Sequence, residues 1–197
     1  MQYTMKPYST AIPNYATWEG GFTKDELDWI QSEARKADSS SLVGRGDGSG
    51  IGKSDSSIRR SNIKWLDCTD NTMWLYEKLA YFVSSLNSTY FKFDLTGMDE
   101  PLQLSNYQEE DNGTYGWHQD SGIIGLSRKL SLVLQLSDAC EYEGGNLQIR
   151  TNSEPETITK QRGTVIVFPS YTVHQVTPVL SGNRQSLVSW ISGPQFR

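Results

Sequence analysis

The part of the chain that follows residue 100 is a succession of short segments rich in apolar and β-branched residues. Turn-forming stretches such as "DNG", "EGG", "QRG" and "SGN" lie between several of these segments. Many short strands separated by turn signals are typical of a β-sandwich or a β-barrel. The segments are "PLQLSNYQ", "KLSLVLQLS", "GNLQIR", "ETITK", "GTVIVFPS", "VHQVTPV" and "RQSLVSWIS".

Two helices and a strand are predicted before residue 100. In "FTKDELDWIQSEARKA", Thr23 can cap the free amides and Glu26 can reach back to it, which is a capping box. The segment "DNTMWLYEKLAYFVSSLNSTYF" (70–91) carries apolar residues at helical spacing. The segment "IRRSNIKWL" (58–66) alternates enough to be a strand.

The length of 197 residues suits one domain, and no linker divides the chain. We therefore expect a single domain over residues 1–197, of α+β class and mainly β. Helical support is expected over about 1–95, and the β core is expected over about 100–193.

The composition excludes several classes of protein. The net charge is −5 and no block of lysine and arginine occurs, so we expect no nucleic-acid partner. The N-terminal stretch has no apolar signal-peptide region, and no run approaches 18 apolar residues. We therefore expect a cytoplasmic protein without a membrane segment. Cys68 and Cys140 lack zinc-type spacing and are predicted to be free thiols.

A loop rich in glycine, serine and aspartate is predicted over residues 39–57. It contains "GSGIGKS", which is close to a phosphate-binding loop. That motif requires glycine five residues before the glycine of "GKS", and Asp47 stands there. The nucleotide-binding interpretation is therefore set aside.

Both histidines of the chain lie in turn-flanked β segments. His118 and Asp120 form an H-x-D pair in "GTYGWHQDSG", and residues i and i+2 of a strand point to the same side. H-x-D alone arises by chance in many proteins, but His174 follows in "VFPSYTVHQVTPV". Two histidines and one carboxylate with open positions form the facial triad of non-haem Fe(II) oxygenases.

Ten residues after His174 comes Arg184, in "NRQSLVSWIS". A guanidinium on this strand can hold a carboxylate through two parallel hydrogen bonds. Ser186 faces the same side and can add a third hydrogen bond. An arginine near a ferrous site would bind the far carboxylate of a dicarboxylic co-substrate.

Together these residues resemble the 2-oxoglutarate- and Fe(II)-dependent oxygenases, and within them the prolyl 4-hydroxylase-like group. The resemblance runs from about residue 58 to 192 and includes "EGGNLQI" and "VFPSYTVHQVTPV". It implies a double-stranded β-helix, or jelly roll, supported by helices.

The resemblance also assigns roles at the site. It implies that His118, Asp120 and His174 are the iron ligands and that Arg184 anchors the C5 carboxylate of 2-oxoglutarate. Tyr107 would hold the co-substrate close to the metal. Gln135 and Ser186 complete the predicted co-substrate pocket, although many relatives have a tyrosine at the position of Gln135.

The resemblance places further residues on the substrate side. Arg59 and Ser61 would line a peptide groove, with the glycine-rich loop before them as a lid. Tyr115, Arg128 and Trp190 lie where such enzymes contact the peptide. Each of these five residues either contacts the substrate or supports the fold, and the sequence leaves both interpretations open.

Two positions depart from the pattern of relatives that act on collagen-like peptides. Those relatives usually have lysine where this chain has Arg184, and Ser192 replaces a histidine found in some peptide-binding relatives. Both departures weaken the assignment of a particular substrate.

The implied activity is that of a dioxygenase similar to procollagen-proline 4-dioxygenases. It couples hydroxylation of a C–H bond to decarboxylation of 2-oxoglutarate to succinate, with Fe(II) and O₂ as cofactor and co-substrate and ascorbate as a reductant. We expect a peptide or protein substrate rich in proline. Two alternatives stay open: the same chemistry on a free amino acid or small molecule, and a jelly-roll binding module without catalysis. The oligomeric state is not predicted.

Overall fold

The computed structural model describes residues 12–37, 39–40, 55–121 and 127–195. The predicted glycine-rich lid lies outside these residues over most of its length, at 41–54. Among the described residues, no helix is long and apolar enough to cross a membrane.

Both predicted helices are present. Helix α1 (Lys24–Ala34) begins with the expected capping box, in which Glu26 N donates to Thr23 Oγ1 at 3.3 Å and Thr23 N donates to Glu26 Oε2 at 2.8 Å. Helix α2 (Met73–Leu86) continues into a π-helical turn (Asn87–Phe91). The leucines and phenylalanines at helical spacing in α2 are buried, because they pack against the larger of two sheets.

The described residues form thirteen strands, and each pair of neighbouring strands is antiparallel. The longest is β13, which contains Arg184 and pairs with β5 on one side and β7 on the other. The strands are β1 (Ala16–Trp18), β2 (Ser39–Ser40), β3 (Arg59–Arg60), β4 (Asn62–Leu66), β5 (Leu102–Gln108), β6 (Thr114–His118), β7 (Arg128–Gln135), β8 (Tyr142–Gly144), β9 (Leu147–Arg150), β10 (Glu156–Thr157), β11 (Val165–Pro169), β12 (Val173–Val176) and β13 (Val179–Ser192).

The strands assemble into two sheets. The larger sheet has the order β1-β11-β7-β13-β5-β4-β2, with β8 added along β13, and the smaller sheet has the order β10-β9-β12-β6-β3. Sequence neighbours are therefore often in different sheets, as in a jelly roll. The predicted mainly-β class and jelly-roll architecture agree with this arrangement.

Strand β7 shows how the layers are built. Leu130, Leu132 and Leu134 pack with the helices on the outer face of the larger sheet. Val133, which points the other way, packs with Ile149 of the smaller sheet. The strand is almost entirely buried, because helices cover one face and the smaller sheet covers the other. Polar side chains on the inner face therefore point into the space between the sheets.

The segment 58–66 differs from its prediction as one strand. It forms β3 in the smaller sheet and β4 in the larger sheet, with Ser61 between them. The chain changes sheets at this corner because Arg59 pairs with Tyr115, whereas Asn62 pairs with Asn106. The N-terminal part is thus not only helical support, since β1–β4 extend both sheets.

Candidate functional site

Three side chains meet where β6 ends against β12. His118 closes β6 and is the Cα partner of His174 on β12, and Asp120 follows just beyond the strand. Asp120 Oδ1 lies 3.6 Å from His118 Nε2, and Asp120 Oδ2 lies 3.4 Å from His174 Nε2. One ligand atom from each residue lies within 4.8 Å of the other two. The structure therefore brings the predicted H-x-D pair and the second histidine together.

Backbone carbonyls fix the orientation of both imidazole rings. His118 Nδ1 lies 2.7 Å from the carbonyl oxygen of Gly116, and His174 Nδ1 lies 2.9 Å from that of Thr172. A carbonyl oxygen only accepts, so each Nδ1 carries the proton and each Nε2 keeps its lone pair. The two lone pairs point toward Asp120, as metal coordination requires.

The Asp120 carboxylate is held by buried neighbours. Ser131 Oγ, on the inner face of β7, donates to Asp120 Oδ2 at 2.8 Å and lies 3.1 Å from Ser170 Oγ. The indole N–H of Trp190 lies close enough to lower the pKa of the Asp120 carboxyl, although among the described residues it completes no hydrogen bond of good geometry. These contacts fix the carboxylate while its other oxygen stays available.

The electrostatics of the cluster favour the protonation states that bind a metal. Burial lowers the pKa of His118 to about 4, and the neighbouring His174 adds to this effect. Burial acts to raise the pKa of Asp120, but His174, His118 and Ser131 outweigh it and lower that pKa below its usual range. At neutral pH the cluster therefore offers a neutral imidazole at His118 and an ionised carboxylate at Asp120.

The donor set fits a divalent transition metal. Two imidazole nitrogens and one carboxylate oxygen on one side of an ion leave the remaining positions open, which is the facial arrangement of Fe(II) oxygenases. The backbone carbonyls behind both histidines and Ser131 behind the carboxylate supply the outer hydrogen bonds typical of such sites.

A buried cation lies on the inner face of the larger sheet, the face that also carries Ser131. Arg184 is 1% exposed, and it donates from Nη1 to Ser186 Oγ and from Nη2 to Gln135 Oε1, each at 3.1 Å. Its Nε is buried and makes no hydrogen bond to a described residue. None of the ion pairs among the described residues involves Arg184. A buried, unpaired guanidinium suits an anionic ligand.

Tyr107 and Gln135 flank this guanidinium. Tyr107 is the cross-strand partner of Arg184, whose guanidinium carbon lies 5.3 Å from the tyrosine ring centre. Gln135 accepts from Arg184 through Oε1 and donates from Nε2 to the carbonyl oxygen of Thr159 at 3.0 Å. Gln135 therefore orients Arg184, and only its remaining N–H could reach a ligand. The co-substrate roles of these residues stay predictions.

Arg59 and Ser61, predicted to line the substrate groove, are both buried. Arg59 Nε donates to Ser61 Oγ at 3.0 Å, and Arg59 Nη2 donates to Ser105 Oγ at 3.3 Å. The Arg59 guanidinium also lies over the Tyr115 ring, 4.7 Å from its centre. These contacts favour the interpretation that Arg59 and Ser61 support the wall of the site.

Tyr115 lies directly against the candidate metal ligands. Its ring stacks on His118 with centroids 3.5 Å apart and an angle of 16° between the planes. Burial raises the pKa of Tyr115 to about 12, so its hydroxyl remains protonated at neutral pH. Trp117, two residues on, instead stacks under Arg150 with the guanidinium 4.2 Å from the ring centre.

Arg128 and Trp190 form a second wall beside Asp120. The guanidinium of Arg128 stacks on Trp190, 3.9 Å from the ring centre. Glu100 holds the same guanidinium with both carboxylate oxygens, and Arg128 Nε donates to Glu100 Oε1 at 2.6 Å. Trp65 lies at the outer edge of Trp190, with ring centroids 6.3 Å apart, and is 44% exposed. Arg128 and Trp190 thus contact each other beside Asp120, and their predicted contact with a substrate stays a prediction.

Sequence reasoning missed Ser131 and Ser170, which support Asp120. One signal could have indicated Ser131. In the apolar strand segment "KLSLVLQLS", Ser131 and Gln135 are polar and occupy alternate positions on one face. Buried polar side chains need partners, so this spacing points to a polar site on that face.

Comparisons with known proteins agree with this site. The sequence profile of the 2OG-Fe(II) oxygenase superfamily matches residues 102–192. A PKHD-type hydroxylase of Teredinibacter turnerae is 28% identical over 172 residues, which is 84% of this chain and 73% of that protein. Other PKHD-type hydroxylases are 37–45% identical to this chain over shorter stretches. These stretches cover only 36–42% of the length of those hydroxylases.

Solved structures show the same fold. A Pseudomonas putida prolyl-4-hydroxylase is 19% identical with a TM-score of 0.70, over 92% of this chain and 94% of that chain. A prolyl hydroxylase of Trichoplax adhaerens, in complex with a peptide fragment of the hypoxia-inducible factor oxygen degradation domain, is 15% identical with a TM-score of 0.74, over 91% and 84%. The jelly roll, the His-Asp-His cluster and the profile match over residues 102–192 together support a 2OG-Fe(II) oxygenase with a fold similar to that of the prolyl hydroxylases.

Proposed function

We propose that this protein is a 2-oxoglutarate- and O₂-dependent hydroxylase that acts on a prolyl residue in a peptide. One observation carries the proposal. A buried His-Asp-His cluster at the smaller sheet faces the larger sheet, whose inner face carries a buried guanidinium with no carboxylate partner among the described residues, and each lies beside a polar residue of β7. Ser131 supports the cluster, and Gln135 orients the guanidinium.

Iron would be held by His118 Nε2, His174 Nε2 and a carboxylate oxygen of Asp120. When bound, Fe(II) supplies the redox chemistry that couples reduction of O₂ to oxidation of 2-oxoglutarate and of a C–H bond. The protein holds the three ligands in one orientation through the carbonyl oxygens of Gly116 and Thr172 and through Ser131. This prior orientation reduces the reorganisation needed when the metal binds.

The far carboxylate of 2-oxoglutarate would lie against Arg184. A guanidinium binds a carboxylate through two parallel hydrogen bonds, and burial strengthens them because water does not compete. Ser186 accepts from Arg184 and retains its own proton for the carboxylate. Tyr107, beside Arg184, would position the co-substrate toward the metal.

The remaining walls exclude water and would receive the substrate. Tyr115 covers one face of His118, and Trp190 lies beside Asp120. Flat aromatic surfaces of this kind suit a proline ring, and Arg128 could donate to a peptide carbonyl oxygen at the same wall. The peptide complex of the Trichoplax adhaerens neighbour supports a peptide substrate for a fold of this type.

The test measures three quantities in one reaction with Fe(II) and 2-oxoglutarate. These are succinate formation, loss of 2-oxoglutarate and a +16 Da product from a library of proline-containing peptides. We expect all three with the parent protein and none with His174→Ala, because one of three ligands is lost. Tyr90→Phe is the control, since Tyr90 is exposed. A product from free proline alone would replace the peptide substrate with a small molecule, and absence of turnover and iron binding would leave only a binding module.

A further inference from the structure

Tyr142 lies beside the buried guanidinium and was not among the predicted site residues. It begins β8, which pairs with an early part of β13, and its register partner is Gly182, two residues before Arg184. The Tyr142 side chain is buried. The pairing of β8 with β13 therefore places a phenol at the end of the pocket that Gln135 and Ser186 border.

Gly145 shows how closely Tyr142 and Arg184 approach each other. Its backbone is left-handed, with φ +55°, and a Cβ there would lie 3.1 Å from both Arg184 Cδ and Tyr142 Cε2. Both side chains thus converge on the space above this glycine. A larger residue at 145 would separate them, so the glycine permits the contact.

The contact between Tyr142 and Arg184 leaves the phenolic proton of Tyr142 without an acceptor among these two side chains. Burial raises the pKa of Tyr142, while the charge of Arg184 and a hydrogen bond from it act in the opposite direction. A guanidinium has only donors, so in any hydrogen bond between these two side chains Tyr142 Oη is the acceptor. Arg184 is the one hydrogen-bonding partner found for Tyr142 among the described residues, and it cannot accept the phenolic proton. A buried hydroxyl oriented in this way is a donor for a ligand.

Lys160 adds a second positive charge at the same place. Its Nζ donates to the carbonyl oxygen of Gly144 at 2.7 Å and lies 4.3 Å from the centre of the Tyr142 ring. Burial lowers the pKa of Lys160, and repulsion from Arg184 lowers it further, whereas Glu143 opposes both effects. Two cations that repel each other across one phenol are stabilised when an anion binds between them.

We propose that Tyr142 Oη donates a hydrogen bond to the same carboxylate that Arg184 binds, and that Lys160 contributes the second positive charge of this pocket. The inference rests on the proposed function, since the carboxylate is the far one of 2-oxoglutarate. It assigns Tyr142 as a co-substrate-binding residue. Gln135 is then a positioning residue, because its amide is already engaged by Arg184 and Thr159.

The test is calorimetric titration of the protein loaded with Mn(II), which binds without turnover. The ligands are 2-oxoglutarate and 2-oxovalerate, which has a methyl group in place of the far carboxylate. Tyr142→Phe removes only the hydroxyl, and a hydrogen bond to a charged group corresponds to about a tenfold rise in Kd for 2-oxoglutarate. The Kd of the Tyr142→Phe variant for 2-oxovalerate should stay within about twofold of the parent's value, since 2-oxovalerate lacks the carboxylate that the hydroxyl would contact.

Two further variants complete the design. Tyr76→Phe is the matched control, because Tyr76 Oη bonds the Leu66 carbonyl oxygen and the Leu102 amide away from the pocket, and Kd for 2-oxoglutarate should not change. Lys160→Met removes a partly exposed charge, so we expect about a threefold rise in Kd that shrinks with added salt. If Tyr142→Phe does not fold, this variant still tests whether the far carboxylate binds in the pocket between Arg184 and Lys160.

The outcomes separate this assignment from the proposed function. Failure of the parent protein to bind Mn(II) or 2-oxoglutarate contradicts the proposed function, and the assignment falls with it. If the parent binds both, an unchanged Kd for 2-oxoglutarate in Tyr142→Phe overturns the assignment alone. Equal losses for 2-oxoglutarate and 2-oxovalerate also overturn it, because the hydroxyl would then not contact the far carboxylate. If the Kd of Lys160→Met for 2-oxoglutarate equals that of the parent protein at both low and high salt, the role of the lysine is overturned.

Discussion

His118 and His174 are direct Cα partners on the antiparallel strands β6 and β12, and both turn Nε2 toward the Asp120 carboxylate. The register of one strand pair therefore sets the geometry of the cluster. The register shifts between His174 and Val176, so the ladder is irregular immediately beside the site. Irregular pairing of this kind re-aims side chains next to active sites.

The first prediction concerns the support of Asp120. Ser131→Ala removes the hydrogen bond to Asp120 Oδ2, so the affinity for Fe(II) or Mn(II) should fall by about 10- to 100-fold. Metal titration followed by calorimetry measures this change. Ser189→Ala is a matched control, because Ser189 is equally buried but its Oγ has no partner among the described residues. Equal metal affinities in the two variants would refute the role of Ser131.

The second prediction concerns Arg184. Arg184→Gln removes the charge that would bind the far carboxylate, so KM for 2-oxoglutarate should rise by about 100-fold or more, while metal affinity changes little. Steady-state kinetics and metal titration separate the two effects. A variant that kept the parent KM would show that the co-substrate lies elsewhere.

How far these sites could be predicted from the sequence depends on the kind of interaction. The cluster was predictable because the chain has only two histidines and one of them stands two residues from an aspartate. Arg184 followed from its spacing after His174. Tyr142 was not predictable, because its approach to Arg184 depends on the pairing of β8 with β13 and on the left-handed Gly145. Such contacts between distant segments leave no local pattern in a single sequence.

The elements of the fold also divide into those that local sequence predicts and those that depend on contacts between distant segments. The capping box at Thr23 and the apolar, β-branched composition of "KLSLVLQLS" act locally, so they predicted α1 and the strand β7. The corner at Ser61 was missed, because Arg59, Ser61 and Ile63 are buried at alternate positions across it while the strand partners change from one sheet to the other. Partner choice is set by tertiary packing, which periodicity does not encode.

The third prediction concerns the substrate wall. Arg128→Met keeps most of the contact with Trp190 but removes the donors and the ion pair with Glu100. KM for a peptide substrate should rise by about tenfold, whereas KM for 2-oxoglutarate stays within about twofold. Arg150→Met, which affects only the stack on Trp117, is the control. Equal effects on both Michaelis constants would indicate that Arg128 supports the fold.

The fourth prediction concerns the metal as a stabilising ligand. An ion that binds the folded state alone stabilises it by about 2.7 kcal/mol at a concentration 100 times its Kd. Mn(II) should therefore raise the Tm of the parent protein by several degrees, and a chelator should reverse the shift. His174→Ala should show no shift, and a shift of the same size in that variant would place the binding site elsewhere.

The central claim is that His118, Asp120 and His174 bind one metal ion. A crystal of the protein grown with Mn(II) and 2-oxoglutarate, measured at the manganese absorption edge, tests it most directly. The account predicts one anomalous peak at roughly 2.0–2.3 Å from both Nε2 atoms and an Asp120 carboxylate oxygen. It also predicts that the far carboxylate of 2-oxoglutarate contacts Arg184. A strong peak elsewhere with none between these three residues would contradict the account.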